Sequence, residues 1–303
     1  MKVLFQTRKN NFQGGDLIQM EETAKALRKL GVEVDISDEP FVKPEVIQAY
    51  DLVHLWNFPM LHTKYQLWVA RKYKKPVVCS MIYSELDKTI DIPLQQIMLD
   101  ELSYAIFQTE GERERVKRHL KLDESKSVII PNGIDEWWFK KEDSRVFLED
   151  FVLTVGRIEP SKGQLACALA CKELKIPYVC IGEVRDLEYY AKLKQNGVIW
   201  YAPMPKEELK IWYNSAKVYI QPSEAETWSL CIDEALSQGT SVILTEMCER
   251  NDIDILRCLP NDIESIKISI RQAWKPKDYS RASKLKTWDN VAKQILELYG
   301  KIK

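Results

Sequence analysis

The chain has 303 residues, of which 45% are apolar, and its formal net charge is −1. This length suits one large or two medium domains, and the apolar fraction is ordinary for a globular protein with sizeable cores. The balanced charge lacks the basic excess of a nucleic-acid-binding protein. No apolar run approaches about 18 residues, so we predict no transmembrane segment, and the N-terminal apolar run is too short for a signal peptide.

Seven cysteines are scattered along the chain, and no C-x-x-C occurs. An odd, scattered set is typical of reduced thiols in the cytosol rather than of a disulfide framework, so a cytoplasmic location is expected. Cys167 and Cys171 share a predicted helix face, but no histidine or second cysteine pair completes a zinc site. We therefore predict that both cysteines belong to the core.

Strands alternate with helices through the first 140 residues. Short apolar runs predict strands at 2–7, 32–36, 51–56, 76–82, 104–108 and 128–130, and helical spacing predicts helices at 17–30, 64–73, 94–102 and 112–120. This alternation predicts a parallel, doubly wound sheet. Gly14 and Gly15 follow the first strand and allow either a close ligand approach or a plain tight turn. Acidic Glu112 precedes the basic run 113–121 and Glu114 interrupts it, which predicts a solvated helix face.

The pattern restarts after a charged, aromatic stretch at 137–150, which we interpret as a linker. Strands are predicted at 151–155, 177–181, 218–221 and 241–244, and helices at 164–174, 207–215, 263–274 and 288–299. The loop after the first of these strands contains Arg157 and Lys162. Ligands of doubly wound sheets bind outside the carboxyl ends of the strands, so this loop is a candidate binding loop.

Two glutamates, Glu226 and Glu234, stand eight residues apart around a predicted helix. The helix should begin near Ser229, a common N-cap residue type, and end at Gly239. Over roughly 7 Å of helix rise, an elongated polar ligand could meet free backbone N–H groups and both carboxylates. Such N–H groups suit phosphate, and carboxylates accept hydrogen bonds from sugar hydroxyls. Two surface glutamates beside an ordinary helix are the alternative interpretation.

This spacing resembles the E-x7-E signature of retaining glycosyltransferases with the GT-B fold, especially family 4. Three further segments match in the same order: Gly14-Gly15, then 131–135 (PNGID), then 156–163 with Arg157 and Lys162. Together the matching segments cover most of the chain. The resemblance implies an α/β GT-B fold with two Rossmann-like, doubly wound parallel-sheet domains facing a cleft. An acceptor-side domain would occupy 1–140, a nucleotide-sugar donor domain 141–287, and the last helix, about 288–303, would return to the first domain.

The resemblance also implies a donor site. Arg157 and Lys162 would bind the donor diphosphate and offset charge on the leaving nucleotide, since Arg can bind oxygens bidentately and Lys supplies a point charge. Glu234 would bind the ribose hydroxyls, and Glu226 would lie beside the donor sugar. The predicted donor-binding residues are Gly14, Gly15, Arg157, Lys162, Glu226, Thr227, Trp228, Ser229, Leu230 and Glu234. Many family members have glycine where this chain has Thr227 and Ser229, so the space near the sugar should be narrower.

The acceptor side matches the family less well. Family 4 enzymes often carry a histidine just after the strand equivalent to 77–81, where this chain has Ile82 or Tyr83. His54 is the remaining candidate in the first domain, and it could position an acceptor hydroxyl or share its proton. A hydrogen-bonded histidine at a strand end is the alternative. The predicted catalytic residues are Arg157, Lys162, Glu226 and His54.

The sequence therefore predicts transfer of a sugar from a nucleotide-diphosphate sugar to a glycan, lipid-linked or small-molecule hydroxyl acceptor. The resemblance implies retention and no metal or cofactor beyond the donor co-substrate, because the two cations neutralise charge. Nucleic acid is not an expected partner, and peripheral contact with a membrane stays open. The alternatives are a nucleotide-sugar epimerase, a glycan phosphorylase, or a non-catalytic partner subunit that binds a nucleotide sugar.

Overall fold

The computed structural model describes residues 1–7, 14–39, 42–83 and 91–302. The chain forms two compact units. The first comprises Met1–Gly133 together with Lys286–Lys303, and the second comprises Ile134–Leu285. Each unit contains its own sheet and its own hydrophobic core. Among the described residues, no helix is both long enough and apolar enough to cross a membrane.

The sheet of the first unit is parallel, with strand order β2-β1-β3-β4-β5-β6. Its strands are β1 (Lys2–Gln6), β2 (Glu33–Ser37), β3 (Leu52–Trp56), β4 (Val77–Ser80), β5 (Tyr104–Phe107) and β6 (Ser127–Ile129). The helices between them are α1 (Gly15–Lys29), α2 (Pro44–Gln48), α3 (Leu61–Lys72), α4 (Ile92–Asp100) and α5 (Glu110–His119). All residues of β3 and β4 are buried, as expected for central parallel strands covered on both faces.

The sheet of the second unit is also parallel, with strand order β12-β11-β10-β7-β8-β9. Its strands are β7 (Val152–Val155), β8 (Tyr178–Ile181), β9 (Ile199–Tyr201), β10 (Val218–Gln221), β11 (Ser241–Thr245) and β12 (Leu256–Cys258). Its helices are α6 (Gln164–Leu174), α7 (Leu187–Gln195), α8 (Lys206–Ser215), α9 (Leu230–Ser237) and α10 (Ile263–Ala273). Cys167 and Cys171 lie in its core, as predicted.

The last helix, α11 (Trp288–Lys301), belongs to the first unit. Thr287 begins it with a capping box, in which its hydroxyl accepts from the Asn290 amide and the Asn290 side chain accepts from the Thr287 amide. The buried face of α11 includes Trp288 and Tyr299, and Lys29 of α1 pairs with Asp289 at 3.0 Å. The chain therefore leaves the first unit after residue 133 and re-enters it at residue 286.

These two sheets confirm the predicted pair of doubly wound parallel sheets. The sequence patterns gave no prediction for α2, α7, β9 or β12. The strands β9 and β12 have only three residues each and stand at the two edges of their sheet, so each is too short to give a clear strand pattern.

Two local predictions were wrong. The stretch 137–150 is not a plain linker, because Trp138 is buried in the core of the second unit and packs on Tyr213. Glu112 does not lie on a solvated helix face, because it is fully buried. Its carboxylate accepts hydrogen bonds from the Tyr83 amide at 2.7 Å and the Gln108 amide at 2.6 Å.

Candidate active site

The candidate site of the second unit lies where the strand order reverses. The chain runs from β7 outward through β8 and β9, then returns to place β10 on the other side of β7. Two neighbouring parallel strands thus send their following loops in opposite directions, which opens a crevice at their carboxyl ends. The loop after β7 carries Arg157 and Lys162, and the loop after β10 carries Glu226.

An ion pair joins these two loops. Lys162 Nζ lies 2.8 Å from Glu226 Oε2, and only 16% and 20% of the two side chains are exposed. The same carboxylate oxygen accepts from the Ser223 hydroxyl at 3.3 Å. Residues 64 positions apart in the chain are therefore held together at the crevice. Glu226 is thus a partly buried, paired carboxylate rather than a freely solvated one.

Gly163 allows the two loops to approach this closely. Its φ is +66°, and a Cβ built on it would lie 2.2 Å from the carbonyl oxygen of Pro222, the first residue after β10. Every other residue type would collide with that backbone and would also be strained in the left-handed region. The Lys162-Gly163 dipeptide therefore supplies both the cation and the space that lets it reach Glu226.

Arg157 lies on the same loop but is not part of this ion pair. Its side chain is 55% exposed, and the one ion pair that it makes among the described residues is with Glu159, at 3.1 Å. Its carbonyl oxygen accepts a hydrogen bond from the Gln164 amide at 2.7 Å, which fixes the backbone at the start of α6. The guanidinium therefore stands beside the crevice with a single surface partner.

The N-terminus of α9 begins as predicted. Ser229 is the N-cap residue, Leu230 is the first helical residue, and Gly239 follows the helix with a φ of +68°. The Ser229 hydroxyl donates to Gln221 Oε1 at 3.3 Å, and within the described part of the chain no side chain caps this helix. The first backbone N–H groups of α9 are therefore not taken up by a capping side chain, as an anion site requires.

Trp228 is anchored by neighbours that the sequence did not indicate. Its indole N–H donates to Asp233 at 3.0 Å, and the Arg250 guanidinium carbon lies 3.8 Å from the ring centroid. Arg250 also donates to Asp233 at 2.7 Å and to Asp252 at 2.8 Å, and its side chain is 1% exposed. These contacts hold the segment from Glu226 to Ser229 against α9, so the Trp228 side chain supports the site.

Glu234 lies one turn inside α9, and Tyr213 of α8 holds it. The Tyr213 hydroxyl donates to Glu234 Oε2 at 2.8 Å, and Tyr213 itself is fully buried. Burial raises the pKa of Glu234 to about 7, although the Tyr213 hydrogen bond opposes this shift. The carboxyl group therefore changes its charge near neutral pH.

The first unit has an equivalent reversal between β1 and β3. Gly15 begins α1, and Gly14 is its N-cap residue; the loop residues 8–13 lie outside the described residues. Asn57 follows β3 with a φ of +67°, and its side-chain amide donates to Asp16 at 2.9 Å. Gly14 and Gly15 thus stand at the carboxyl edge of the first sheet, whereas Arg157, Lys162 and Glu226 belong to the second unit.

His54 lies in the middle of β3 and is completely buried. Its Nδ1 lies 2.5 Å from the Tyr299 hydroxyl of α11, and its Nε2 lies 3.0 Å from the Ser80 hydroxyl. The ring also stacks on Trp56, with centroids 4.9 Å apart. Burial lowers the pKa of His54 to about 3, so the imidazole is neutral. Both ring nitrogens have hydrogen-bond partners within the protein. This agrees with the alternative interpretation, in which His54 is a hydrogen-bonded histidine of the strand.

Buried polar atoms near the carboxyl ends of β1 and β3 were missed by sequence reasoning. Neither polar atom of the Gln6 amide has a hydrogen-bond partner among the described residues, and the same holds for the Trp56 indole N–H and for Gln66 Oε1. Buried polar groups are normally paired, so a ligand is one way to satisfy them. The only sequence signal was a glutamine at the end of an apolar strand.

Ile82, at the position where the resembling family often has histidine, has a φ of +46°. This conformation is rare for a β-branched residue, and such strain concentrates at functional sites. The next residue, Tyr83, is held by its backbone hydrogen bond to Glu112. Residues 84–90 follow outside the described part of the chain. Within that described part, no three His, Cys, Asp or Glu side chains are grouped as a metal site would require.

Comparison with known proteins finds a family match in the second unit. The family model described as glycosyl transferases group 1 matches residues 139–253. This segment contains Arg157, Lys162, Glu226 and Glu234. The chain is also similar to an uncharacterised glycosyltransferase of Methanocaldococcus jannaschii, with 23% identity over 93% of this chain and 80% of that protein.

Solved structures confirm the fold class. Anabaena HepE in complex with UDP matches over the full length of both chains, with a TM-score of 0.82 and 15% identity. The same protein has also been solved with UDP-glucose. Sucrose-phosphate synthase from Thermosynechococcus elongatus matches over 99% of this chain and 98% of its own, with a TM-score of 0.79 and 16% identity. These likenesses establish the GT-B architecture of two parallel, doubly wound sheets.

Proposed function

We propose that this chain, which has the GT-B fold, is a group 1 glycosyltransferase that moves a sugar from a nucleotide-diphosphate sugar to a hydroxyl acceptor. The observation that carries this proposal is the Lys162–Glu226 ion pair at the carboxyl ends of β7 and β10. It holds a partly buried cation against Glu226, in the segment that leads into α9, and a diphosphate bound there would need both charge and N–H donors.

We propose that the donor diphosphate lies between Lys162 and the first turn of α9. The ammonium group has three donors and uses one on Glu226, so it can also donate to a phosphate oxygen. Arg157 supplies a second cation from the same loop. Together they would stabilise the charge that develops on the leaving nucleotide, the role that a metal ion has in other transferases.

Glu234 would bind the ribose, and Glu226 would lie beside the donor sugar. Tyr213 fixes the Glu234 carboxylate, which leaves its other oxygen able to accept from a ribose hydroxyl. The Lys162 contact fixes Glu226 at the other end of the same crevice. We further propose retention of the anomeric configuration, on the E-x7-E resemblance alone. HepE was solved with UDP and UDP-glucose, which makes a uridine donor the first to test.

The acceptor would bind in the first unit. Gln6, Trp56 and Gln66 each have a buried polar atom without a hydrogen-bond partner among the described residues, and these atoms lie close to the carboxyl ends of β1 and β3, as hydroxyl-binding groups would. The catalytic role predicted for His54 stays a prediction, and its two protein hydrogen bonds favour a supporting role.

A thermal-shift panel of nucleoside diphosphates and nucleotide sugars tests the donor assignment. A ligand present at 100 times its Kd adds about 2.7 kcal/mol to the free energy of unfolding, which gives a clear rise in Tm. We expect UDP and a UDP-sugar to raise the Tm of the wild type and to raise that of a Lys162→Met variant much less. The proposal fails if no member of the panel stabilises the wild type. Consumption of the stabilising donor with a panel of hydroxyl acceptors then tests transfer itself.

A further inference from the structure

A cavity of about 430 Å³ lies in the second unit, away from the candidate donor site. Its lining comes from the segment before β7, the start of β10 and the segment after α10. Lys217 directly precedes β10, and Ser241 is the first residue of β11. The cavity therefore opens at the amino ends of these parallel strands. Lys162 and Glu226 follow the carboxyl ends, at the opposite edge of the same sheet.

The cavity is strongly cationic. Four basic side chains line it, against the two carboxylates of Glu149 and Asp150; the basic residues are Arg145, Lys217, Lys275 and Lys277. Across the described residues, none of these four forms an ion pair with a carboxylate within 4.0 Å, although both acids line the same cavity. The cavity therefore has an excess of basic over acidic side chains, four against two, and within the described part of the chain no close ion pair holds the four.

Lys277 is the most enclosed of the four. Its ammonium group donates to the carbonyl oxygen of Tyr213 at 3.0 Å and to the Thr240 hydroxyl at 2.6 Å, so it is held at a fixed position. Burial, together with the nearby charges of Arg145 and Lys217, lowers the pKa of Lys277 to about 7. A bound anion would reverse that repulsion and favour the charged ammonium form.

We propose that this cavity is a binding site for a phosphorylated small polyol, separate from the donor site. The phosphate group would pair with Lys277, Arg145 and Lys217. The volume falls within the range of roughly 300–1,000 Å³ that is usual for small-molecule sites, and inorganic phosphate alone would leave most of it unfilled. Glu149, Asp150 and Ser241 supply the acceptors and donors that hydroxyl groups need.

Calorimetric titration of the full chain with inorganic phosphate and with glycerol phosphate, both in the presence of saturating UDP, tests the site. We expect one phosphate site per chain, tighter binding of glycerol phosphate than of phosphate, and weaker binding as salt increases. Lys277→Met and Arg145→Met should each weaken binding by about 10-fold or more, the scale for losing a charge-assisted hydrogen bond. Arg145 is exposed, so its replacement should leave the fold intact.

Lys192→Met is the matched control, because Lys192 is an exposed lysine of α7 that does not line the cavity. A second readout uses sulfate, which does not titrate near neutral pH. The number of protons taken up per sulfate bound is measured by calorimetry at pH 7.5 in buffers of different ionisation enthalpy. We expect uptake of a fraction of a proton by the wild type and no uptake by Lys277→Met. The charged groups around Lys277 are Arg145, Lys217, Lys275, Glu149 and Asp150.

Three results would overturn the proposal. The first is that neither phosphate nor glycerol phosphate binds the wild type. The second is equal affinity of the wild type and both cavity variants. The third is that UDP displaces phosphate to the extent that UDP fills the donor site. This result would mean that the phosphate binds in the donor site instead. None of these readouts depends on glycosyl transfer, so their outcome is separate from that of the proposed function.

Discussion

At the scale of single residues, the candidate site depends on side chains whose charge is set by their partners. Glu226 forms an ion pair with Lys162. Glu234 instead accepts a hydrogen bond from the neutral Tyr213 hydroxyl and is largely desolvated. The two glutamates of one motif therefore have different electrostatic environments. The pH response of Glu234 can be measured.

We predict that the affinity for a nucleotide sugar rises from pH 6 to pH 8. Burial raises the pKa of Glu234 to about 7, so the carboxyl group is largely protonated below this pH and ionised above it. The ionised form is the stronger acceptor for a ribose hydroxyl. Calorimetry with the donor sugar, whose diphosphate does not titrate in this range, should show a midpoint near 7 in the wild type.

Two variants separate this explanation from others. Glu234→Gln should bind more weakly and lose the pH dependence. Tyr213→Phe removes a hydrogen bond that lowers the pKa of Glu234, so the midpoint should move to higher pH. A pH profile that is the same in the wild type and in Glu234→Gln would show that another group titrates.

Sequence reasoning found the charged residues of the candidate site but not the residues that form hydrogen bonds or ion pairs with them. Glu226 and Glu234 were found because their eight-residue spacing matches a family motif, and Lys162 was found because it lies in a second segment that matches the same family. Tyr213, Arg250 and Gln221 were missed because each reaches the site from a different element, at a sequence distance that no pattern encodes. The burial of Glu112 was missed for the same reason, since a glutamate between basic residues on a helix has no sequence signal for burial.

At the scale of elements, α11 is tied to the first sheet through His54. The Tyr299 hydroxyl from α11 and the Ser80 hydroxyl from β4 meet the two nitrogens of one imidazole in β3. This is a buried polar network between three elements, in which loss of one member leaves the others unpaired.

We predict that His54→Ala lowers the free energy of unfolding by roughly 1–3 kcal/mol at pH 7, since two buried hydroxyls lose a partner. Tyr299→Phe should cause part of this loss. Burial lowers the pKa of His54 to about 3 from the ordinary 6.5, so its contribution is fully present above pH 6.5 and is lost as the pH falls. The stability gap between wild type and His54→Ala should therefore narrow by about 1.4 kcal/mol per pH unit below pH 6. A variant with native stability but no transfer would instead support the catalytic role predicted from the sequence.

We predict a second effect at the start of α5. Glu112→Gln can present only one acceptor oxygen to the amides of Tyr83 and Gln108, so one amide loses its partner. The expected cost is about 1–3 kcal/mol. Glu110→Gln on the same helix removes an exposed pair with Arg113 and should cost no more than about 0.5 kcal/mol. Chemical denaturation measures both, and equal costs would contradict the structural role of Glu112.

The elements themselves were largely predictable because central parallel strands are continuous apolar runs. The strands β3, β4, β8 and β10 are buried along their whole length, β7 is buried except at Val155, and all five were predicted. Of the edge strands, β2 and β6 were predicted, whereas β9 and β12 were not. Strand order was not predictable from periodicity, and the reversal that creates each crevice follows only from the sheet topology.

At the scale of the whole molecule, the two units differ in how the chain builds them. The second unit is continuous, Ile134–Leu285, whereas the first requires both chain ends. We predict that residues 134–285 expressed alone unfold cooperatively and bind the donor nucleotide, because this unit contains Lys162, Glu226 and Glu234. Residues 1–133 alone should not fold stably, since they lack Trp288 and Tyr299 of α11. Denaturation and calorimetry of the two fragments check this, and a stable, cooperative 1–133 fragment would contradict it.

The central claim is that Lys162 stabilises the donor diphosphate during transfer. The most direct test is a single-turnover transfer assay with the donor identified by thermal shift, comparing wild type, Lys162→Met and the exposed-lysine control Lys192→Met. We predict that Lys162→Met transfers about 10²-fold more slowly, the scale for loss of one preorganised charge stabiliser, while Lys192→Met matches the wild type. Wild-type transfer by Lys162→Met would show that the cation paired with Glu226 takes no part in the reaction.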